Sequence, residues 1–464
     1  RALDELLPDW RTQGAPLTTP AEHDRFLYLT ATRAFALPTP PQMHNAGNFI
    51  GSLGDLCRWL GAQAEALGVE IYPGFAAADV IEENGQIGGI VTGDMGRGRD
   101  GAPGPNFQPG MELRAGYTIL AEGCRGSLTK RLLERFALRD PRTPQTYALG
   151  CKELWEVPQE NHRPGQVLHT IGWPLDAATY GGSFLYHWGE NFISYGFVVG
   201  LDYRNPFLSP FEEMQRFKTH PAIRDMFAGG RRVAYGARAL SEGGWQSLPK
   251  LTFPGGCLVG DAAGFLNVPK IKGTHAAMKS GMLAAEAVAE ALAGDRAPEP
   301  ASYEARFRAS WLSAELHGVR NIRPGFAKFG LYGGLLNEAL DTYVLRGRAP
   351  WTLAHPHADH ESLKDAAAAR PIAYPKADGV LTFDRLGSVF ISNTNHEEDQ
   401  PGHLHLREPA RAIAVNWDRY GSPETRYCPA GVYEIVGAES GRPSLQINAQ
   451  NCVHCKTCDI KDPT

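Results

Sequence analysis

Apolar positions first recur at helical spacing at Leu53, Leu56, Leu60, Ala64 and Leu67, which predicts an amphipathic helix closed by Gly68. Val69-Glu70-Ile71-Tyr72 reads as the next strand, and a helix feeding a strand belongs to α/β architecture. Over residues 79–122 short apolar runs alternate with Gly-rich turns. They end in a candidate buried strand at 117–121 that runs into Glu122-Gly123-Cys124. Residues 145–245 are predicted to be mostly strand, from the aromatic and β-branched runs at 184–188 and 193–199. A further strand from Leu251 ends at Gly264, an Ala-rich helix is predicted over 274–292, and residues 302–347 read as helical and aromatic. Residues 350–378 form a Pro- and His-containing connection, and short strands lead from Val380 into a cysteine-rich end. There is no internal repeat or low-complexity tract. The fold class expected is α/β (α+β).

Composition narrows this. A chain of 464 residues has room for about three domains. With 43% hydrophobic and 21% charged residues, disorder is excluded and a large core is within reach. The 52 glycines and 34 prolines forecast many turns. A formal charge of −5 gives no basic surplus, so nucleic acid is not an expected partner. No run approaches the ~18 apolar residues that span a bilayer, and no signal peptide is visible. The chain begins at Arg1 and stops at Asp462-Pro463-Thr464, which reads as a piece cut at both ends.

The cysteines carry the strongest chemistry. Cys57, Cys124, Cys151 and Cys257 are scattered singly, whereas Cys428, Cys452, Cys455 and Cys458 share the last 37 residues. Tight C-x-x-C-x-x-C spacing points to metal or cluster binding in a reducing compartment rather than to disulfides. A [4Fe–4S] cube takes four thiolates; three lie on one loop here, and Cys428-Pro429 supplies a fourth from upstream. A structural zinc site is the alternative, although zinc motifs favour two separated C-x-x-C knuckles. The hydroxyls of Tyr433 and Thr457 fall near the cysteines, either as donors to cluster sulfurs or as packing and turn residues. Histidines at 355, 357, 360, 396, 403 and 405 fit no ligand template by spacing and read as solvated loop residues.

A literal G-x-G-x-x-G occurs at 96–101, but Ala102-Pro103-Gly104-Pro105 follows it and cannot open the required helix, so a hairpin loop is expected there. Two stretches are better candidates for flavin contact: the strand ending at Gly123, and Cys257-Leu258-Val259-Gly260-Asp261. Gly260 lets backbone approach a ligand, and Asp261 can accept hydrogen bonds from ribityl hydroxyls. Asn267 can bond the ring. The helix starting at Thr274 would turn its positive N-terminus toward a flavin edge that becomes negative on reduction.

These residues resemble the electron-transfer flavoprotein–ubiquinone oxidoreductase family along the whole chain. The likeness is densest at Tyr180-Gly181-Gly182-Ser183-Phe184, at Phe265-Leu266-Asn267-Val268-Pro269-Lys270-Ile271-Lys272-Gly273-Thr274-His275, and at Gln446-Ile447-Asn448-Ala449-Gln450-Asn451-Cys452. The resemblance implies one FAD, one [4Fe–4S] cluster, ubiquinone as acceptor and electron-transfer flavoprotein as partner. It assigns the cluster to Cys428, Cys452, Cys455 and Cys458. FAD falls to Gly123, Gly260, Asp261, Asn267 and the helix start at Gly273-Thr274, and ubiquinone to Gly181-Gly182. It implies an FAD-binding part over 1–144, a β-rich quinone-binding part over 145–250, an FAD-domain return with membrane-facing helices over 251–347, and a ferredoxin-like part over 348–464. Family members open with a Rossmann strand and a true G-x-G-x-x-G, which this sequence lacks. Peripheral attachment is implied, to a bacterial inner membrane or the matrix face of a mitochondrial one. Phe326, Phe329, Tyr332, Leu336, Leu340 and Tyr343 recur at helical spacing, interrupted by Lys328, Glu338 and Asp341, and read either as an in-plane anchor or as a core helix. The competing readings are a prenyl reductase or hydroxylase with a ferredoxin tail, and a non-enzymatic zinc or iron–sulfur protein.

Overall fold

The computed structural model describes residues 1–294 and 297–462, leaving Pro463 and Thr464 outside the described residues. After a short helix at Ala2–Leu6 and a two-residue strand at Thr19–Pro20, β1 (His23–Leu29) pairs antiparallel to β2 (Ala34–Leu37). Helix α1 (Leu53–Ala66) forms where the apolar spacing placed it, capped by Ser52, whose hydroxyl accepts the Asp55 N–H at 3.2 Å. Residues 69–72 form no strand, contrary to expectation. Among the described residues no strand pairs with them to take their backbone bonds, and Val69, Ile71 and Tyr72 are exposed. Short strands follow over 77–114, and the 96–101 segment lies in the expected hairpin: Gly96 and Arg97 end the strand Met95–Arg97, and 98–102 form the loop to Pro103–Gln108. Strand β3 (Thr118–Leu120) buries Leu120 but leaves Ile119 exposed, and helix α2 (Ser127–Arg135) follows.

Next come β4 (Tyr147–Glu156), β5 (Gln166–Gly172), β6 (Gly181–Trp188) and β7 (Phe192–Gly200), then helix α3 (Pro210–Lys218) and β8 (Arg231–Ser241). The run from Leu251 is a tight pair rather than one strand: β9 (Thr252–Phe253) turns at Gly255 (φ 87°) into β10 (Gly256–Leu258). Helix α4 (Thr274–Ala293) matches its forecast. Helix α5 (Ile322–Ala339) is broken at Gly330 (φ 68°, ψ −169°) and ends in a π turn over Leu340–Val344. Past Val380 helical turns dominate, correcting the forecast of strands. Among the described residues only the hairpin of β11 (Tyr433–Val436) and β12 (Ser444–Ile447) precedes the cysteine loop, which ends in α6 (Cys458–Lys461).

Two sheets position the sites. The larger has seven strands in the order β8-β4-β7-β6-β5-β1-β2, antiparallel except for the parallel β5–β1 pair. It is therefore not confined to 145–250, since β1 and β2 come from the first segment. Its core is built by alternation: Leu149, Cys151, Glu153 and Trp155 of β4 face inward, where Phe211, Met214 and Phe217 of α3 cover them. The same core takes in Cys124, Cys455 and Ile460, so the cysteine segment is packed onto the large sheet. In the smaller sheet β3 runs parallel to β10, so both chains leave it at the same edge, one toward Gly123 and the other toward Gly260.

Candidate redox site

Cys428, Cys452, Cys455 and Cys458 line one small cavity together with Tyr433 and Thr457. The cysteine loop winds tightly because His454 (φ 54°) and Lys456 (φ 69°) take the left-handed conformation, uncommon outside glycine. Backbone N–H groups point at the sulfurs: Val432 to Cys428 Sγ at 3.5 Å and His454 to Cys452 Sγ at 3.3 Å. Thr457 Oγ1 lies 3.3 Å from Cys455 Sγ, and burial followed by the nearby Cys458 sulfur raises the Tyr433 phenol above its usual range. Burial pushes the thiols up as well, Cys428 and Cys452 to about 11 and Cys455 to about 12, so a cation that binds here must displace their protons. Four sulfurs around one cavity, with donors aimed at them, fit a four-iron cluster.

At the shared edge of the small sheet, Gly123 (φ 73°) and Gly260 (φ 57°) take conformations that favour glycine. Asp261 Oδ2 accepts the Ser241 N–H at 3.3 Å, while its Oδ1 is buried without a partner. Burial raises Asp261 to about 6. An orphaned carboxylate oxygen beside two glycine turns and the start of α4 fits a hydroxyl-bearing ligand such as FAD. Asn267 is buried. Its amide donates to Glu315 Oε1 at 2.9 Å and its oxygen accepts the Lys270 N–H at 3.1 Å, leaving one amide proton and one lone pair free. Lys270 pairs with Glu315 at 3.1 Å, and burial lowers Lys272 to about 8.

A cavity of about 310 Å³ adjoins this edge. Gly181, Gly182, Gly273, Tyr180, His169, Phe326 and Glu338 are among its lining residues. A Cβ on Gly182 would overlap the Thr170 carbonyl, and one on Gly181 the Val198 carbonyl, so strand packing by itself already requires this glycine pair. Tyr186 is half-buried, and its hydroxyl meets His169 Nε2 at 3.0 Å. Burial holds His169 neutral, down to about 3, and lifts Glu338 to about 7. Helix α5 divides inside from outside. Phe326, Leu331, Leu335 and Glu338 face the cavity, while Phe329, Tyr332, Leu336, Leu340 and Tyr343 are exposed. Phe326 thus leaves the expected exposed row, its ring packed on Tyr180 at 5.3 Å.

Strand β8 joins these regions. Ala239 N–H donates to the Cys455 carbonyl at 2.9 Å, Arg238 to the His454 carbonyl at 3.0 Å, Leu240 lines the large cavity, and Ser241 binds Asp261. Arg125 and Lys130, flanking the Gly123 turn, both pair with Asp459 of α6, at 3.1 and 2.6 Å. None of these links follows a local sequence pattern. The histidines also depart from expectation: His355 is buried, and His396 and His403 gather with His454 beside the cysteine loop.

A flavoprotein-type α/β fold carrying a four-cysteine cluster domain defines the class. The fold resembles that of a geranylgeranyl bacteriochlorophyll reductase-like protein from Thermoplasma acidophilum, with a TM-score of 0.51 at 19% identity over 76% of this chain and 81% of that one. Residues 147–240 match the family model "ETF-QO, ubiquinone-binding", and residues 379–464 match "Electron transfer flavoprotein-ubiquinone oxidoreductase, 4Fe-4S". The chain is 54% identical over 465 residues to the Arabidopsis thaliana protein named "Electron transfer flavoprotein-ubiquinone oxidoreductase, mitochondrial", covering 100% of this chain and 73% of that protein. It is 54% identical over 476 residues to the Homo sapiens protein of the same name, covering 100% and 77%. The chain belongs to the electron transfer flavoprotein-ubiquinone oxidoreductase family.

Proposed function

We infer that this chain accepts electrons from reduced electron-transfer flavoprotein and delivers them to ubiquinone at a membrane surface. In this reading Cys428, Cys452, Cys455 and Cys458 hold the [4Fe–4S] cluster, while Gly123, Gly260, Asp261, Asn267, Gly273 and Thr274 contact FAD. Gly181 and Gly182 border the quinone. When bound, the cluster supplies single-electron steps and the flavin couples them to two-electron quinone reduction.

The residues then have defined tasks. Asp261 Oδ1 accepts from a ligand hydroxyl, and the first turn of α4 turns its positive end toward a flavin edge that gains negative charge. Making quinol consumes two protons, and Glu338, whose carboxyl keeps a proton near neutral pH, stands on the cavity wall to donate one. The exposed α5 row lies on the membrane as an in-plane anchor; among the described residues no helix is long and apolar enough to cross one. The curated relatives are named as mitochondrial; quinone access calls for a membrane-peripheral place, which in this reading lies at the matrix face or its bacterial counterpart. The functional spans are 1–144 for FAD, 145–250 with β1 and β2 for quinone, 251–347 for the FAD return and membrane face, and 348–464 for the cluster.

The observation that carries the reading is β8. Strand residues rise about 3.3 Å each, so Ala239 at the cysteine loop and Ser241 at the flavin edge stand only about 7 Å apart. The test is ubiquinone reduction by holoenzyme in vesicles, driven by reduced electron-transfer flavoprotein. Turnover is expected in the wild type and its loss in Cys455→Ser. A wild-type enzyme that carries both cofactors and stays inert would overturn the reading.

A further inference from the structure

We propose that His396, His403 and His454 form a binding site for a transition-metal dication of the zinc type, at the rim of the cysteine cavity and separate from the cluster. The three imidazoles come from distant parts of the chain, yet their ring centroids lie 5.1, 5.0 and 4.8 Å apart. Three imidazoles bound at about 2.0–2.1 Å to one tetrahedral ion hold their centroids about 5 Å apart. One ring nitrogen each of His403 and His454 lies within 4.8 Å of the other and of the Cys452 sulfur, so two of the three rings already face a common point and the His396 ring has to turn to join them.

His396 adds a second, independent mark. Its Nε2 meets the Cys452 carbonyl at 2.9 Å. A nitrogen that donates to a carbonyl fixes the tautomer and leaves the opposite nitrogen, here Nδ1, with its lone pair free; metal-binding histidines are commonly set this way. His403 and His454 are exposed, so an ion can enter from solvent, and a water completes four-coordination. The proposal rests on the cluster reading in one respect: Cys452 belongs to iron and is not counted as a ligand. A dication held this close to a cluster thiolate favours the more negative, reduced cluster and raises its potential.

The experiment uses holoenzyme with its full iron complement, dialysed against zinc, with both metals counted per chain. One zinc is expected without loss of iron, together with a higher cluster midpoint potential and an altered EPR signal of the reduced cluster. His403→Ala and His396→Ala should each weaken zinc binding tenfold or more, keep iron and the zinc-free EPR signal, and lose the zinc-induced shift. The proposal is overturned if iron-replete enzyme takes up no zinc, if zinc enters only as iron leaves, or if both variants bind it as the wild type does. Iron content tests the cluster reading separately, because an iron-free wild type would fail that reading whatever zinc does.

Discussion

Among single residues, Asp261 and His169 show how burial sets chemistry. Asp261 holds one oxygen on Ser241 and presents the other unpaired, so in the proposed FAD contact its replacement removes a charged acceptor. A hydrogen bond to a charged group contributes about 1.5–3 kcal/mol, so Asp261→Ala should weaken FAD binding by about 10- to 100-fold in a flavin-release titration. His169 is held neutral chiefly by desolvation and next by Lys272, with its pKa lowered to about 3. The unfolded chain protonates near 6.5, so below that pH it binds a proton that the folded chain does not. Stability carried by neutral His169 is therefore full above about pH 6.5 and falls as pH drops toward 3. Denaturant midpoints measured across that range should decline in the wild type and decline less in His169→Gln; equal slopes would remove His169 from the account. Asp261 was legible because Gly-Asp follows an apolar strand. The gathering of His396, His403 and His454 was not, since their spacing of 7 and 51 positions is closed only by the fold.

At the level of elements, β4, α3 and β8 are joined by a buried charge group. Glu153 accepts from Lys218 at 2.8 Å, Arg232 at 3.1 Å, Trp155 Nε1 at 2.8 Å and Gln215 at 3.1 Å. Glu153 and Lys218 have no solvent exposure. Removing the Glu153 charge leaves the Lys218 ammonium buried without its ion-pair partner, a loss of about 3–5 kcal/mol. Glu153→Gln should therefore lower the unfolding midpoint of the holoprotein sharply, while Arg231→Ala on the neighbouring exposed pair with Glu156 should change it little. Sequence periodicity located α4 and the strands of 145–245, because their own side chains bury one face, and it located α1 although of that apolar row Leu56 is buried while Leu53 and Leu67 are exposed. It failed at 69–72, where four apolar-rich residues have no neighbouring strand, and past Val380, where helical turns pack against a core supplied by other segments. Strands β1 and β2 were likewise invisible as members of the large sheet, since pairing across more than a hundred residues leaves no local mark.

For the molecule as a whole, the large cavity and the exposed apolar face are two sides of one helix. The break at Gly330, where a Cβ would come within 3.0 Å of the Ala177 carbonyl, lets α5 turn Leu331 and Leu335 inward while Tyr332 and Leu336 face out. Leu336 is 74% exposed and Val344 69%, with Tyr343 and Leu340 between them, an arrangement costly in water and favourable against lipid. With that face on the membrane, as proposed, a quinone with a long apolar tail can pass from the bilayer to the cavity beside the same helix. Burying a leucine contributes about 1.5–3 kcal/mol, so Leu336→Glu should lower vesicle partition of the holoenzyme by about tenfold or more. The substituted side chain points away from the cavity, so reduction of a short-tailed, water-soluble quinone should persist at wild-type rate while reduction of the long-tailed quinone in vesicles falls in step with binding. Unchanged vesicle partition in Leu336→Glu together with Tyr343→Ser would move the membrane contact to another face of the protein.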